Sequence, residues 1–267
     1  MYKAVVSDLD GTLLDGNHAI DEFTKETVSA VIDKGIKFYI ATGRSYSGAK
    51  DIMDKLGLKI PLITSNGARI LDEEGKEIYV NNLEKKYSDS ILDIDYKKNG
   101  KSIVLNVYSG NDWYVTEDRR EFYMKINPKR TFFPEVTTLK KLKTKEFTKI
   151  FFLGEHDELL ELEKEIENIT KGEVNIAFVL EHCLEIFSKE SDKANAARFL
   201  LEKDGLTLKD SVAFGDGCND YNLLKEAGKG YVMGNALYRL KEALPENETV
   251  ETNADNGVAK KLVELFL

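Results

Sequence analysis

Residues 3–14, Lys3-Ala4-Val5-Val6-Ser7-Asp8-Leu9-Asp10-Gly11-Thr12-Leu13-Leu14, decide how the rest of the chain is read. Ala4, Val5 and Val6 form a short apolar run that ends in polar residues and a glycine, the pattern of a buried strand delivering side chains at its C-terminal end. On extended backbone, residues i and i+2 point the same way, so Asp8 and Asp10 face one centre while Leu9 packs away. Gly11 then lets the chain turn. The plainer alternative is a tight Asp10-Gly11 turn with Asp8 as a solvated strand end. A calcium loop is excluded: that pattern needs Gly at its sixth position and Glu at its twelfth, and counting from Asp8 gives Leu13 and Ala19.

Outward from this stretch, strands and helices alternate. Asp21 to Lys34 carries Phe23, Val28, Val31 and Ile32 on an approximate helical stripe closed by Gly35. Ile36 to Ala41 reads as a strand that again delivers polar residues, Thr42-Gly43-Arg44, and Ser45 to Leu56 as a helix closed by Gly57. This order predicts a parallel sheet with right-handed crossovers, its ligands gathered at the carboxyl ends of the strands. Ile60 to Ile63 is a further strand, and Arg69 to Val80, broken at Glu74-Gly75, a hairpin; Asn66-Gly67 is read as a turn. The alternation resumes with a helix from Lys193 to Asp204 and a strand from Ser211 to Phe214. That strand runs into Gly215-Asp216-Gly217-Cys218-Asn219-Asp220, which opens a helix to Ala227 whose N–H groups favour an anion. Tyr231 to Met233 and an amphipathic helix from Gly257 to Leu267 complete the pattern.

Between these halves the style changes. Leu83, Tyr87, Ile91 and Ile94 mark a helix, Ile103 to Tyr108 and Trp113 to Thr116 a hairpin, Glu155 to Thr170 a helix, and Phe147 to Leu153, Val174 to Leu180 and Cys183 to Phe187 strands. Turn-joined neighbours favour an antiparallel α+β module. The expected organisation is therefore α/β: a Rossmann-like parallel-sheet core of residues 1–81 and 188–267, with an inserted α+β domain of residues 82–187.

The 267 residues suffice for a sizeable core, and the formal net charge of −9 with mixed signs disfavours nucleic acid or an anionic membrane as partner. No apolar run approaches the roughly 20 residues of a membrane span. Met1-Tyr2-Lys3 leads straight into the first strand, so a cytoplasmic chain is expected, with Cys183 and Cys218 as reduced thiols.

Asp8 and Asp10, Thr42, the Lys193 neighbourhood, and Asp216 and Asp220 converge on one edge of one sheet. Several carboxylates there would raise one another's pKa unless a cation intervened. An all-oxygen donor set with room for water and a phosphate oxygen suits Mg²⁺. With the Thr42 hydroxyl and the Lys193 charge, this describes a pocket for a phosphoryl group. Asp8 can attack phosphorus to give an aspartyl-phosphate, and Asp10 can protonate the leaving oxygen and then activate water.

These residues resemble, in order, the four motifs of the haloacid dehalogenase-like hydrolases: Asp8-Leu9-Asp10-Gly11-Thr12, Thr42-Gly43-Arg44, Lys193, and Gly215-Asp216-Gly217-Cys218-Asn219-Asp220. The insert resembles the large α/β cap of the Cof-type sugar phosphatases. The resemblance implies Asp8 as nucleophile and Mg²⁺ ligand, Asp10 as acid/base and a backbone-carbonyl ligand, and Asp216 as a direct ligand. It implies that the Leu9 N–H, Thr42, Gly43, Lys193 and Asn219 hold phosphate, and that Asp220 orients the ligands or Lys193. Ala194 and Cys218 depart from frequent choices in the family at positions that supply no chemistry. The expected activity is Mg²⁺-dependent hydrolysis of small phosphomonoesters, sugar phosphates first, with a hexose-phosphate mutase of the same superfamily as the alternative. The expected partner is a small phosphorylated metabolite, with no nucleic acid and no membrane, the chain being a monomer or weak homo-oligomer, and the insert a hinged lid holding the specificity residues. A glycosyltransferase using Asp-x-Asp would leave Lys193 and the second acidic cluster without a task, and a phospho-receiver module has no use for the insert.

Other residues have plainer readings. Arg44 either reaches phosphate or the insert or forms a surface ion pair; Asn66 and Asn235 are turn and helix-start residues. His18, His156 and His182 are read as structural or exposed, a substrate contact from the insert being the lesser alternative for His182, and Trp113 is read as packing.

Overall fold

The computed structural model describes residues 2–126 and 133–267. Its first strand, β1 (Ala4–Ser7), has no exposed surface at any position, as a strand covered on both faces requires. The chain continues through α1 (Glu22–Asp33), β2 (Lys37–Ala41), α2 (Tyr46–Leu56), β3 (Leu62–Thr64), β4 (Arg69–Leu71) and β5 (Glu77–Val80). A second group follows: α3 (Lys85–Leu92), β6 (Val104–Ser109), β7 (Asp112–Val115), α4 (Arg120–Ile126), β8 (Glu135–Val136), α5 (Leu139–Leu142), β9 (Lys149–Leu153), α6 (His156–Thr170), β10 (Val174–Leu180) and β11 (Cys183–Ser188). The chain closes with α7 (Lys193–Lys203), β12 (Ser211–Gly215), α8 (Tyr221–Glu226), β13 (Lys229–Val232), α9 (Tyr238–Ala243), β14 (Glu248–Thr249) and α10 (Gly257–Phe266).

These elements form two compact units, one running to Val80 and resuming at Ser191, the other spanning Asn81–Glu190. Ser188 and Lys189 stay with the second unit because the Asn175 amide donates to both of their carbonyls.

The first unit is an α/β Rossmann-like fold around an eight-stranded sheet ordered β14-β13-β12-β1-β2-β3-β4-β5, parallel from β14 to β3 and antiparallel beyond. Val5 pairs with Phe38 on one side and Val212 on the other, so strand order reverses at β1 and leaves a crevice beyond its carboxyl end. The helix α7 covers the sheet with Ala194, Ala196, Ala197, Leu200 and Leu201, each leucine contributing about 1.5–3 kcal/mol by burial. Its start is fixed by Asp192, whose Oδ1 accepts from the N–H groups of Ala194 (2.7 Å) and Asn195 (3.3 Å). The two-residue strand β14 is too short to announce itself as periodicity.

The second unit carries a sheet ordered β10-β11-β9-β6-β7-β8, antiparallel except that β8 runs parallel to β7. Side chains alternate across it. Leu105, Val107, Ile150, Phe152, Leu184 and Ile186 share one apolar cluster with Ile91 of α3 and Leu159, Leu162 and Ile166 of α6. The other set includes Trp113, Tyr123, Phe151 and Cys183, with a buried Lys149–Glu185 ion pair. Trp113 does pack: its indole N–H and the Tyr123 hydroxyl both donate to Asn106 Oδ1, at 3.0 and 2.8 Å. No helix among the described residues is long and apolar enough to cross a membrane.

Candidate active site

The carboxyl edge of the first sheet brings distant segments together. Asp8 follows β1 directly, and its N–H donates to the Phe214 carbonyl of β12 at 3.0 Å. Thr42 follows β2, its N–H held by Ile63 of β3 at 2.9 Å, and its buried hydroxyl accepts from the Arg44 N–H at 3.1 Å. Leu9 buries its whole side chain in the core. Asp216 follows β12, and Lys193 is the first residue of α7.

Lys193 has no exposed surface. Its ammonium donates to Asp8 Oδ1 and to Asp220 Oδ1, each at 2.6 Å. The other oxygen of Asp220 accepts the N–H groups of Asp216 and Gly217, at 3.0 and 2.9 Å. Asp216 Oδ1 accepts from the Thr12 hydroxyl at 2.9 Å. One carboxylate oxygen from each of Asp8, Asp216 and Asp220 lies within 4.8 Å of the others. Gly11, at φ +73°, makes this approach possible: a Cβ there would fall 2.4 Å from Asp216 Oδ2.

The electrostatics follow from enclosure. Burial pushes the Asp8 carboxyl up to about 8; Lys193 opposes the rise, and Asp220 and Asp216 add to it. Burial also raises Asp216, against the Thr12 hydrogen bond and with help from Asp220. Burial disfavours the Lys193 ammonium, yet Asp220 and Asp8 more than offset it, and its pKa is raised.

Asp10 is placed differently from its neighbours. Arg44 makes a two-point ion pair with it, Nε donating to Oδ2 at 2.7 Å and Nη2 to Oδ1 at 2.5 Å, and His18 Nδ1 lies 3.2 Å from Oδ1. Of the two readings of Arg44 the ion pair is the one found, and its partner is Asp10. Burial alone would raise Asp10; Arg44, then His18, hold it below the usual carboxylate range. The carboxylate of Asp10 is not one of the three that cluster.

Two asparagines read as turn and helix-start residues reach the site. Asn66 Oδ1 accepts from Asn219 Nδ2 at 2.9 Å. Asn235 Nδ2 donates to the Gly11 carbonyl at 2.7 Å, and its Oδ1 accepts the Asn253 N–H at 3.0 Å, bracing the loop after β1. Neither partner is near in sequence, so neither role has a local signal. His156 Nδ1 lies 2.9 Å from the Glu181 carbonyl, and His182 lines a cavity of about 400 Å³ within the second unit, with Ser102, Arg119, Tyr123 and Glu155.

Residues 5–262 match the sequence model of a family described as haloacid dehalogenase-like hydrolase. A "Putative phosphatase" of Buchnera aphidicola subsp. Baizongia pistaciae is 38% identical over 270 residues, covering 100% of this chain and 99% of the relative. An HMP-PP phosphatase of Yersinia pseudotuberculosis is 32% identical over 262 residues, covering 98% of this chain and 94% of its own. Among solved structures, a haloacid dehalogenase-like hydrolase from Bacteroides thetaiotaomicron superposes with a TM-score of 0.86 at 26% identity, over 100% of both chains.

Proposed function

The chain belongs to the haloacid dehalogenase-like hydrolases and is a phosphatase; from that premise we propose that it hydrolyses small phosphomonoesters, sugar phosphates foremost, with Mg²⁺ and through a phosphoryl group carried on Asp8. The burial of Lys193 between Asp8 and Asp220, beside Asp216, carries this reading. A wholly enclosed ammonium flanked by three carboxylates is a poor device for stability alone. It suits a site that neutralises a transferring phosphoryl group.

The residues fit a hard divalent cation. The donors are all oxygen, and three carboxylates share one small volume. Both oxygens of Asp220 are engaged by Lys193 and by backbone N–H groups, so Asp8 and Asp216, with the Asp10 carbonyl, would hold the ion while Asp220 orients them. Bound there, the cation would neutralise charge on the phosphoryl oxygens and hold phosphorus in line with Asp8.

The chain's own residues supply the rest. The Asp8 oxygen not held by Lys193 forms a bond to phosphorus as the bond to the leaving oxygen breaks, and Asp10 gives that oxygen a proton. Water then attacks phosphorus, its proton passes to Asp10, and Asp8 is released. Arg44 keeps Asp10 in the carboxylate form that the second step needs. For the first step Asp10 has to exchange Arg44 for the leaving oxygen and carry a proton, the one that water attack left on it in the preceding turnover. The Leu9 N–H, Thr42, Gly43, Lys193 and Asn219 bind the phosphoryl oxygens.

The test is inorganic phosphate release from a panel of phosphorylated metabolites with Mg²⁺, beside Asp10→Asn acting on an aryl phosphate. The wild type should lose activity to a chelator. The variant should give a burst of phenol near one per site, then a steady rate lower by about 10²–10⁴. Release unaffected by chelation, or a linear wild-type rate in the variant, would remove the metal or the role of Asp10 respectively.

A further inference from the structure

The turn Ser65–Gly67 between β3 and β4 holds two successive non-glycine residues in the left-handed region, Ser65 at φ +50° and Asn66 at φ +56°. Such positions persist where the surroundings fix them, and they concentrate at functional sites. Here the fixing groups belong to the catalytic edge. The Ser65 N–H donates to the Arg44 carbonyl at 2.8 Å and the Asn66 N–H to the Thr42 carbonyl at 3.1 Å, which lays the turn across the Thr42-Gly43-Arg44 loop. Gly67 follows at φ +94°, and a Cβ there would lie 2.3 Å from the Asp192 carbonyl, so the turn also abuts the residue that caps the Lys193 helix. The Asn66 side chain is enclosed, and its Oδ1 accepts from Asn219 Nδ2. A Cβ on Gly43 would stand only 3.0 Å from that same oxygen. A hairpin that merely had to turn would be served by glycine at position 66; the amide has a specific partner, and the partner is a phosphate-binding candidate.

We infer that Asn66 is a positioning residue of the phosphoryl site, fixing the Asn219 amide and setting its distance from the Thr42-Gly43 loop. With one N–H of Asn219 Nδ2 committed to Asn66, the second is left for a phosphoryl oxygen. A free Asn219 side chain would have to be ordered by each substrate, and the site would bind phosphate more weakly. The inference rests on the phosphatase reading.

Asn66→Gly tests it, since glycine keeps the left-handed backbone while removing the amide. In the full-length chain with Mg²⁺, kcat, KM and the orthophosphate inhibition constant are measured for wild type, Asn66→Gly, Asn219→Ala and the double variant. Asn66→Gly should weaken orthophosphate inhibition and lower kcat/KM by about tenfold, the worth of a hydrogen bond to a charged group. In the Asn219→Ala background the same change should add less than about twofold. Loss of equal size in both backgrounds, or none in either, overturns the inference. Should Asn66→Gly not fold, Asn66→Ala also removes the acceptor for Asn219, and in a chain that still melts cooperatively it should bind orthophosphate more weakly; unchanged inhibition overturns the inference. A wild-type chain inert towards every phosphomonoester overturns the phosphatase reading and the inference with it. An active wild type whose Asn66→Gly variant keeps the wild-type constants overturns the inference alone.

Discussion

Lys193→Met takes the cation out of the most enclosed part of the site while roughly conserving side-chain volume. Removing one partner of a buried ion pair costs about 3–5 kcal/mol, because the other charge is left unpaired. Here one ammonium serves two carboxylates, each 2.6 Å away, with Asp216 beside them, so the upper half of that range applies wherever all three are ionised. The cost depends on pH with a definite sign. Asp8 has a folded-state pKa near 8, above its unfolded value of about 3.9, so its contribution to stability is present below the unfolded value and lost as pH rises through about 8. Without Lys193 the Asp8 pKa moves higher still. At about pH 6 Asp8 is protonated with or without Lys193, so only Asp220 loses its partner; at about pH 9 the wild type carries a paired Asp8 carboxylate, and the variant has to strand that charge or keep a proton on it against the solvent. At about 2–4 °C per kcal/mol for a unit of this size, melting should fall by about 8–20 °C at the higher pH and by clearly less at the lower. Circular dichroism melts of both proteins without Mg²⁺ measure this, and the double variant Lys193→Met/Asp220→Asn should recover about half of the loss by deleting one of the stranded charges. A variant melting within about 2 °C of wild type at about pH 9, or a penalty independent of pH, would refute the reasoning.

Asp8→Asn should abolish phosphate release while leaving the fold about as stable near neutral pH, since the buried Asp8 carboxyl is mostly protonated there and the amide oxygen still accepts from Lys193; a wild-type rate would exclude Asp8 as nucleophile. Mg²⁺ should raise the melting temperature more at about pH 8 than at about pH 6, because the ion has to displace the proton that burial holds on Asp8; equal gains at both would contradict the placement of the metal. Gly11→Ala puts a Cβ 2.4 Å from Asp216 Oδ2 on a backbone that disfavours it, so the Mg²⁺ concentration for half-maximal activity should rise about tenfold, and an unchanged requirement would take Asp216 out of the metal site.

What could be read in the sequence was whatever is encoded locally. Val5 and Val6 announce a buried strand, Asp8 and Asp10 share its exit by period alone, and Asp220 sits where a short helix starts, so the core's alternation and its acidic edge need no long-range information. Asn66 defeated the same approach because Asn-Gly is a strong turn signal; the turn is there, and the amide's partner lies 153 positions away. The partnership of Arg44 with Asp10 was hidden for the same reason, since nothing in Thr42-Gly43-Arg44 says which carboxylate the guanidinium meets. Lys193 looks like any solvated helix residue until the carboxylates that enclose it are in place. In the second unit, α4 and β8 lack a strong period, and the parallel pairing of β8 with β7 depends on a connection whose path no motif specifies.

The pairing of β1 also bears on how the protein is made. Val5 meets Phe38 after 33 residues but meets Val212 only after 207 (38 − 5 and 212 − 5). Closing the longer loop as flexible chain costs about 1.5 kcal/mol more. The second unit reduces that cost if it folds first, because its two ends leave from one end of its own sheet: the Leu83 N–H donates to Phe147, and Lys149 pairs with Phe187. During synthesis the first strands leave the ribosome with one edge of β1 lacking a partner, a row of open hydrogen-bonding groups until β12 follows. Nascent chains stalled short of Ser211 should accordingly bind chaperones or associate through that edge. The proposed phosphoryl site comes into register only once β12 docks beside β1.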